Sequence, residues 1–156
     1  MNDKKFEDEC LKDKEIVRKA GVKLIEDDRT RDILFKGSLG NSDYFLKGAE
    51  IISKSEVPYL SITLGFFSME QRANALALIS DNYQILNHEC VQIYLSKIFG
   101  RKDLAKLLSD AWNLRLTYNY RMDLKTKSDI NDVDNFMNKL LKPFILEVDK
   151  IIAEIK

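Results

Sequence analysis

The C-terminal part of the chain leaves little choice of structure. From Ile130 onward the apolar residues fall at Ile130, Val133, Phe136, Met137, Leu140, Leu141, Phe144, Ile145, Val148, Ile151, Ile152 and Ile155, and every step between them is one or three. Only a period near 3.6 keeps such a series on one face of the chain. The spacing predicts a helix over roughly residues 129–155. Ser128 is placed to cap it, and Asp129, Asp132 and Asp134 lie where the positive end of a helix dipole favours acids. Pro143 falls inside the pattern. Lacking an N–H and crowding the preceding turn, it is expected to bend this helix rather than end it.

The rest of the chain reads in the same way. Two prolines and six glycines in 156 residues are too few to punctuate an all-β protein. Residues 3–26 carry apolar positions at roughly helical spacing, interrupted by Gly21. Residues 27–41, with Asp27, Asp28, Gly37 and Gly40, read as a connector containing at most a helical turn near Ile33 to Phe35. Ser42 then caps a helix over 42–54. Pro58 opens another that runs to Ile79. This one is apolar on nearly all sides up to Glu70, as a central buried helix should be, and Ser61, Gly65 and Ser68 let a neighbour come close. Residues 81–87 read as a connector. Asn87 caps a helix that Gly100 ends, and a further helix spans Arg101 to about Met122, followed by a loop at 125–127. The expected fold is all-α: an up-and-down bundle of four long helices over residues 37–156, preceded by an N-terminal helical extension and connector over residues 1–36.

Composition narrows the function. Lysine plus arginine equals aspartate plus glutamate, 25 each, so no global basic field draws nucleic acid, although a local basic face remains open. Cys10 and Cys90 form no CxxC pair and His88 is the sole histidine, so no metal site is expected and both thiols should be reduced. The start MNDKKFEDEC has no apolar core and no stretch reaches the ~20 apolar residues that cross a bilayer. A cytoplasmic protein with no membrane partner and no cofactor is expected.

Arg115 is the most informative residue. Leu104, Leu108, Ala111, Arg115, Tyr118 and Met122 step by four or three, which puts a guanidinium in line with an apolar face. Burying it unpaired costs several kcal/mol. It must therefore meet a carboxylate, a carbonyl cluster or an anion in a cleft. The position by itself favours an internal ion pair with a residue such as Glu70. Around it, NLRLTYNYRMDL (113–124) gathers Tyr118, Asn119, Tyr120 and Arg121, residue types that hold phosphate and stack on bases, or that cap and solvate a helix end. His88 beside its cap residue is the ordinary structural histidine unless the fold supplies a partner. No Ser–His–Asp order, glycine-rich phosphate loop or HExxH motif occurs.

Four segments together resemble the HEPN superfamily, in particular the small prokaryotic branch that accompanies minimal nucleotidyltransferases. They are SDYFLKGAEIISKSE (42–56), PYLSITLGFFSMEQRANALALI (58–79), Asn87-His88, and LRLTYNY (114–120), the last similar to the family's arginine motif. Phe66 and Phe67 stand where that family usually has tyrosines. The resemblance implies an α-helical bundle, a homodimer with the Arg115 helix near its two-fold axis, and membership of a toxin–antitoxin or defence pair with a nucleotidyltransferase. Active members are metal-independent endoribonucleases with an Arg-x4–6-His motif. Arg115 matches the arginine, but Tyr120 occupies the histidine's place. A phenol with pKa ~10 is a poor general base at neutral pH. The resemblance thus implies a domain that binds nucleotide or RNA through Arg115, Tyr118, Asn119, Arg121 and His88 without cleaving it. An RNA-cleaving toxin in which Tyr120 or His88 substitutes, and a purely structural interaction module, are the other two readings.

Overall fold

The computed structural model describes residues 6, 8, 10, 21–120 and 128–156, with the side chains at 120, 128 and 129 left aside. Loop 125–127 and, within the N-terminal extension, residues 1–20 apart from 6, 8 and 10 lie outside the described residues. The elements in order are β1 (Val22–Leu24), α1 (Asp28–Ile52), α2 (Leu60–Asp81), β2 (Tyr83–Ile85), α3 (His88–Ile93), α4 (Lys102–Tyr120), α5 (Ser128–Asn135) and α6 (Lys142–Ile155). π-helical stretches follow α3 (Tyr94–Ile98) and join α5 to α6 (Phe136–Leu141). Among the described residues the fold is all-α apart from one two-stranded ribbon.

The long helices alternate in direction, as their contacts show. Ser42 meets Ser68 and Ser38 meets Asn74, so α1 and α2 are antiparallel. Thr63 meets Asn119 and Phe66 meets Trp112, which makes α4 antiparallel to α2. Arg101 reaches Glu147 and Tyr118 reaches Asp132, which makes the C-terminal helix antiparallel to α4. α2 is the axis of the assembly: α1, α4 and α6 all pack on it. Its residues from Ile62 to Leu78 are buried on almost every side, as its lack of a polar face requires.

Small residues set these close approaches. A Cβ on Gly65 would run into the Phe136 ring, so the C-terminal helix rests directly on α2 backbone. Ser42 and Ser68 exchange hydrogen bonds where α1 crosses α2. The buried cation of the bundle is Arg72, 5% exposed, whose guanidinium spans Asp43 on α1 and Asp149 on α6.

Three expectations are corrected. Residues 27–41 are not a connector. Asp27, extended, caps α1 by accepting from Thr30 N–H at 2.7 Å, and the helix runs through Gly37 and Gly40 to Ile52. Ser42 is therefore a buried mid-helix residue, not a cap, and position 37 lies inside α1. Residues 22–24 and 83–85 are strands rather than helix and loop, paired antiparallel with Val22 opposite Ile85 and Leu24 opposite Tyr83. Their patterns, VKL and YQI, alternate with period two, and the buried Asn74 side chain accepts the Ile85 N–H at 2.8 Å. Ser128 is the first residue of α5 rather than its cap.

Pro58 lies two residues ahead of α2, which begins at Leu60 with Tyr59 at its cap position, while the signals at Asn87 and Gly100 hold. Asn87 accepts from Glu89 N–H at 2.9 Å. Gly100, at φ +77°, turns the chain so that Arg101 N–H bonds back to Leu95 carbonyl at 2.7 Å. The C-terminal helix is unbroken through Pro143. The wide π turn ahead of the ring, in which Lys142 N–H bonds Met137 carbonyl five residues back, absorbs the proline within a continuous helical path.

Candidate anion site around Arg115

Two stripes face each other across the α2–α4 contact. On α2, Thr63, Phe66, Phe67 and Glu70 follow one another at steps of three, one and three, the spacing of a single helix face. On α4, Trp112, Arg115 and Asn119 follow at steps of three and four. Antiparallel packing brings Arg115 onto the rings of Phe67, Trp112 and Phe66, with its guanidinium carbon 4.8, 5.0 and 5.2 Å from their centroids. Its Nε is buried and has no hydrogen-bond partner. Among the described residues no carboxylate lies within ion-pair distance of it, although the residue is partly exposed. The internal ion pair with Glu70 is thus replaced by an aromatic cradle. Aromatic faces attract the guanidinium through their quadrupoles without neutralising its charge. The cation stays available to an anion, and a planar guanidinium offers phosphate a bidentate grip.

Glu70 is nevertheless close enough to matter. Its side chain is 15% exposed. Burial pushes its carboxyl up to about 7, against the opposing pull of Arg115. His88, at the first turn of α3, holds Nδ1 3.5 Å from Glu70 Oε1, and its ring lies 4.4 Å from that of Trp112. Burial lowers the His88 pKa, Arg115 lowers it further, and Glu89 works the other way. Arg115, Glu70 and His88, from three helices, therefore share one electrostatic neighbourhood. His88 separates two hollows: one of about 420 Å³ bordered by Gln92, Ser109 and Trp112, and one of about 90 Å³ bordered by Glu70 and Asn74.

The remaining sequence candidates divide. Asn119 sits at the end of the stripe and accepts a hydrogen bond from Thr63 at 2.9 Å. Tyr118 is turned to structural use: its hydroxyl donates to Asp132 at 2.6 Å and its ring stacks on Tyr59. Tyr120 ends α4 with its side chain outside the described residues, and Arg121 lies outside them altogether. Trp112 escaped the sequence reading, although its position three before Arg115 on one helix places it beside the guanidinium. Among the described residues no cluster of histidine, cysteine and carboxylate could hold a metal, and no helix is long and apolar enough to cross a membrane.

The charge state of Glu70 predicts a pH response. The carboxyl ionises as pH rises through about 7. Once ionised, it offsets the Arg115 field and repels an incoming anion. Anion affinity should therefore strengthen from about pH 8 to about pH 6, by roughly tenfold, the effect of ~1.4 kcal/mol of removed repulsion. Protonation of His88 adds to the rise at the acid end. Glu70→Gln should retain tight binding at the alkaline end and lose the step near neutrality. A variant with the parent's pH profile, measured by titration of a labelled oligonucleotide, would remove Glu70 from this role. Folding gives an independent check. A folded-state pKa above the unfolded one adds stability at low pH that is lost as pH rises from about 4.5 through about 7, so Glu70→Gln should stabilise the fold on the alkaline side.

Comparison of the chain with protein-family models, with curated proteins and with solved structures finds no match.

Proposed function

We propose that this chain is a HEPN-like helical bundle that binds nucleotide or single-stranded RNA at Arg115 without cleaving it, as one half of a toxin–antitoxin or defence pair with a minimal nucleotidyltransferase. The observation that carries the binding reading is the un-neutralised Arg115 guanidinium in its cradle of Phe66, Phe67 and Trp112. An isolated structural module would be expected to pair such a cation internally, as Arg72 is paired with Asp43 and Asp149. The resemblance in the arginine motif supplies the ligand class, and the hollow between His88 and Trp112, which Arg115 does not itself line, offers room for a base. Titration of a short labelled RNA and of nucleotides into the full chain tests this. Saturable binding that weakens as salt rises is expected. Absence of binding even at low salt sinks the reading.

A second reading draws on the approach of His88 to Glu70 and Trp112. A neutral imidazole next to Arg115 could take a proton from a ribose hydroxyl while the guanidinium holds the phosphate. RNA cleavage in the presence of a metal chelator, abolished by His88→Gln, would favour this reading over pure binding.

A further inference from the structure

The outward face of α1 is not the polar surface of a solvated helix. At about 100° per residue, Ile33, Gly37, Gly40, Tyr44, Lys47 and Ile51 all fall within about 40° of a single line. That line is opposite the buried positions Phe35, Ser38, Ser42 and Ala49. Ile33, Tyr44 and Ile51 are 60%, 76% and 62% exposed. A Cβ at Gly37 or Gly40 would meet nothing among the described residues. Glycine inside a helix destabilises it relative to alanine. Nothing among the described residues compensates for these two.

The stripe is symmetric about position 42: residues 33 and 51, 37 and 47, and 40 and 44 are equally spaced from it. A second copy laid antiparallel along α1, with the two-fold axis passing by position 42, therefore meets its own complement. Tyr44 of each copy enters the notch at Gly40 of the other. Ile33 meets Ile51, and the aliphatic stem of Lys47 crosses Gly37. The same register sets Glu50 within about 3 Å, along the axis, of the level of Lys36 in the second copy, a lysine that within its own chain meets Asp32. The stripe is about 27 Å long. With three large apolar side chains on each copy, it falls short of a standard permanent interface and suits a weak, reversible dimer.

We propose that the outer face of α1 is a self-association surface, in which two copies of this chain pair antiparallel with Tyr44 seated on Gly40. Arg115 lies on α4, away from this face, although Phe45 beside Tyr44 packs on Phe67 of the cradle; the pairing differs from the dimer implied by the resemblance, in which α4 lies near the axis.

Sedimentation equilibrium of the full chain should show a monomer–dimer equilibrium with a dissociation constant in the micromolar range. Tyr44→Glu and Gly40→Leu should each weaken association at least tenfold, and Gly40→Leu should leave RNA affinity unchanged. Gly40→Ala should act in two directions at once: a higher melting temperature at concentrations where the chain is monomeric, and weaker association. A chain that stays monomeric at all attainable concentrations overturns the proposal, as does a dimer that none of these three variants weakens.

Discussion

Gly65→Val should remove a large part of the stability of this fold. Gly65 lies in the middle of α2, where the C-terminal helix crosses it. A Cβ there would overlap the Phe136 ring and touch Leu141 Cδ2. Neither neighbour has anywhere to go, since Phe136 and Leu141 are each 0% exposed and sit in the π-helical stretch that already accommodates Pro143. Packed interiors respond to added volume with strained rotamers and displaced backbone, at about 1–3 kcal/mol for small insertions and more for larger ones. A branched side chain at a glycine contact should cost ~3 kcal/mol or more, a large part of the ~5–15 kcal/mol that holds an ordinary domain together. Gly65→Ala should destabilise as well, although alanine gains up to ~1 kcal/mol of helix propensity. Gly40→Ala, where the added methyl meets open space, should stabilise the monomer. Urea denaturation of these variants decides the matter. If Gly65→Ala raises the midpoint as Gly40→Ala does, the helix crossing has been misplaced.

Glycines also bear on why part of the fold was legible in the sequence and part was not. α2 and the C-terminal helix announce themselves, because their apolar positions are large and the period is unbroken. α1 hides its period twice. Its core face includes Ser38 and Ser42, which are buried by hydrogen bonds to Asn74 and Ser68 rather than by apolar character. Its outer face carries Gly37 and Gly40, which local propensity reads as turn. Packing against α2 along much of the helix outweighs the propensity of two residues. The ribbon of β1 and β2 was missed because three residues of period-two alternation are too short to register against a helical background.

The site divides along similar lines. Arg115 could be singled out from its place on an apolar stripe, and Glu70 could be named beside it. Whether the two form an ion pair could not be read, because that depends on how α2 and α4 are rotated against one another. The same rotation delivers Phe66, Phe67 and Trp112 to the guanidinium, and it is set by contacts such as Thr63 with Asn119. The proximity of His88 depends on the turn between β2 and α3, which no local pattern encodes.

Arg115→Ala separates an anion site from an internal ion pair. Removing the guanidinium forfeits cation–π contacts with three rings on a partly exposed side chain, at about 1–2 kcal/mol in total. No carboxylate is left without an ion-pair partner. Glu70 loses the one influence that holds its carboxyl down against burial, so it stays protonated to higher pH instead of becoming a stranded charge. Thermal and urea unfolding should therefore shift modestly. RNA affinity should fall at least ~10-fold, since a charge-assisted bidentate contact is worth more than the ~1.4 kcal/mol such a change requires. Arg115→Lys should recover only part of that loss, because an ammonium neither lies flat against the rings nor presents two parallel donors. The opposite pattern is equally definite. A stability loss of ~3–5 kcal/mol is what breaking a buried ion pair produces. If that loss came with unchanged RNA affinity, Arg115 would be a structural cation and the binding function would have to lie elsewhere on the bundle.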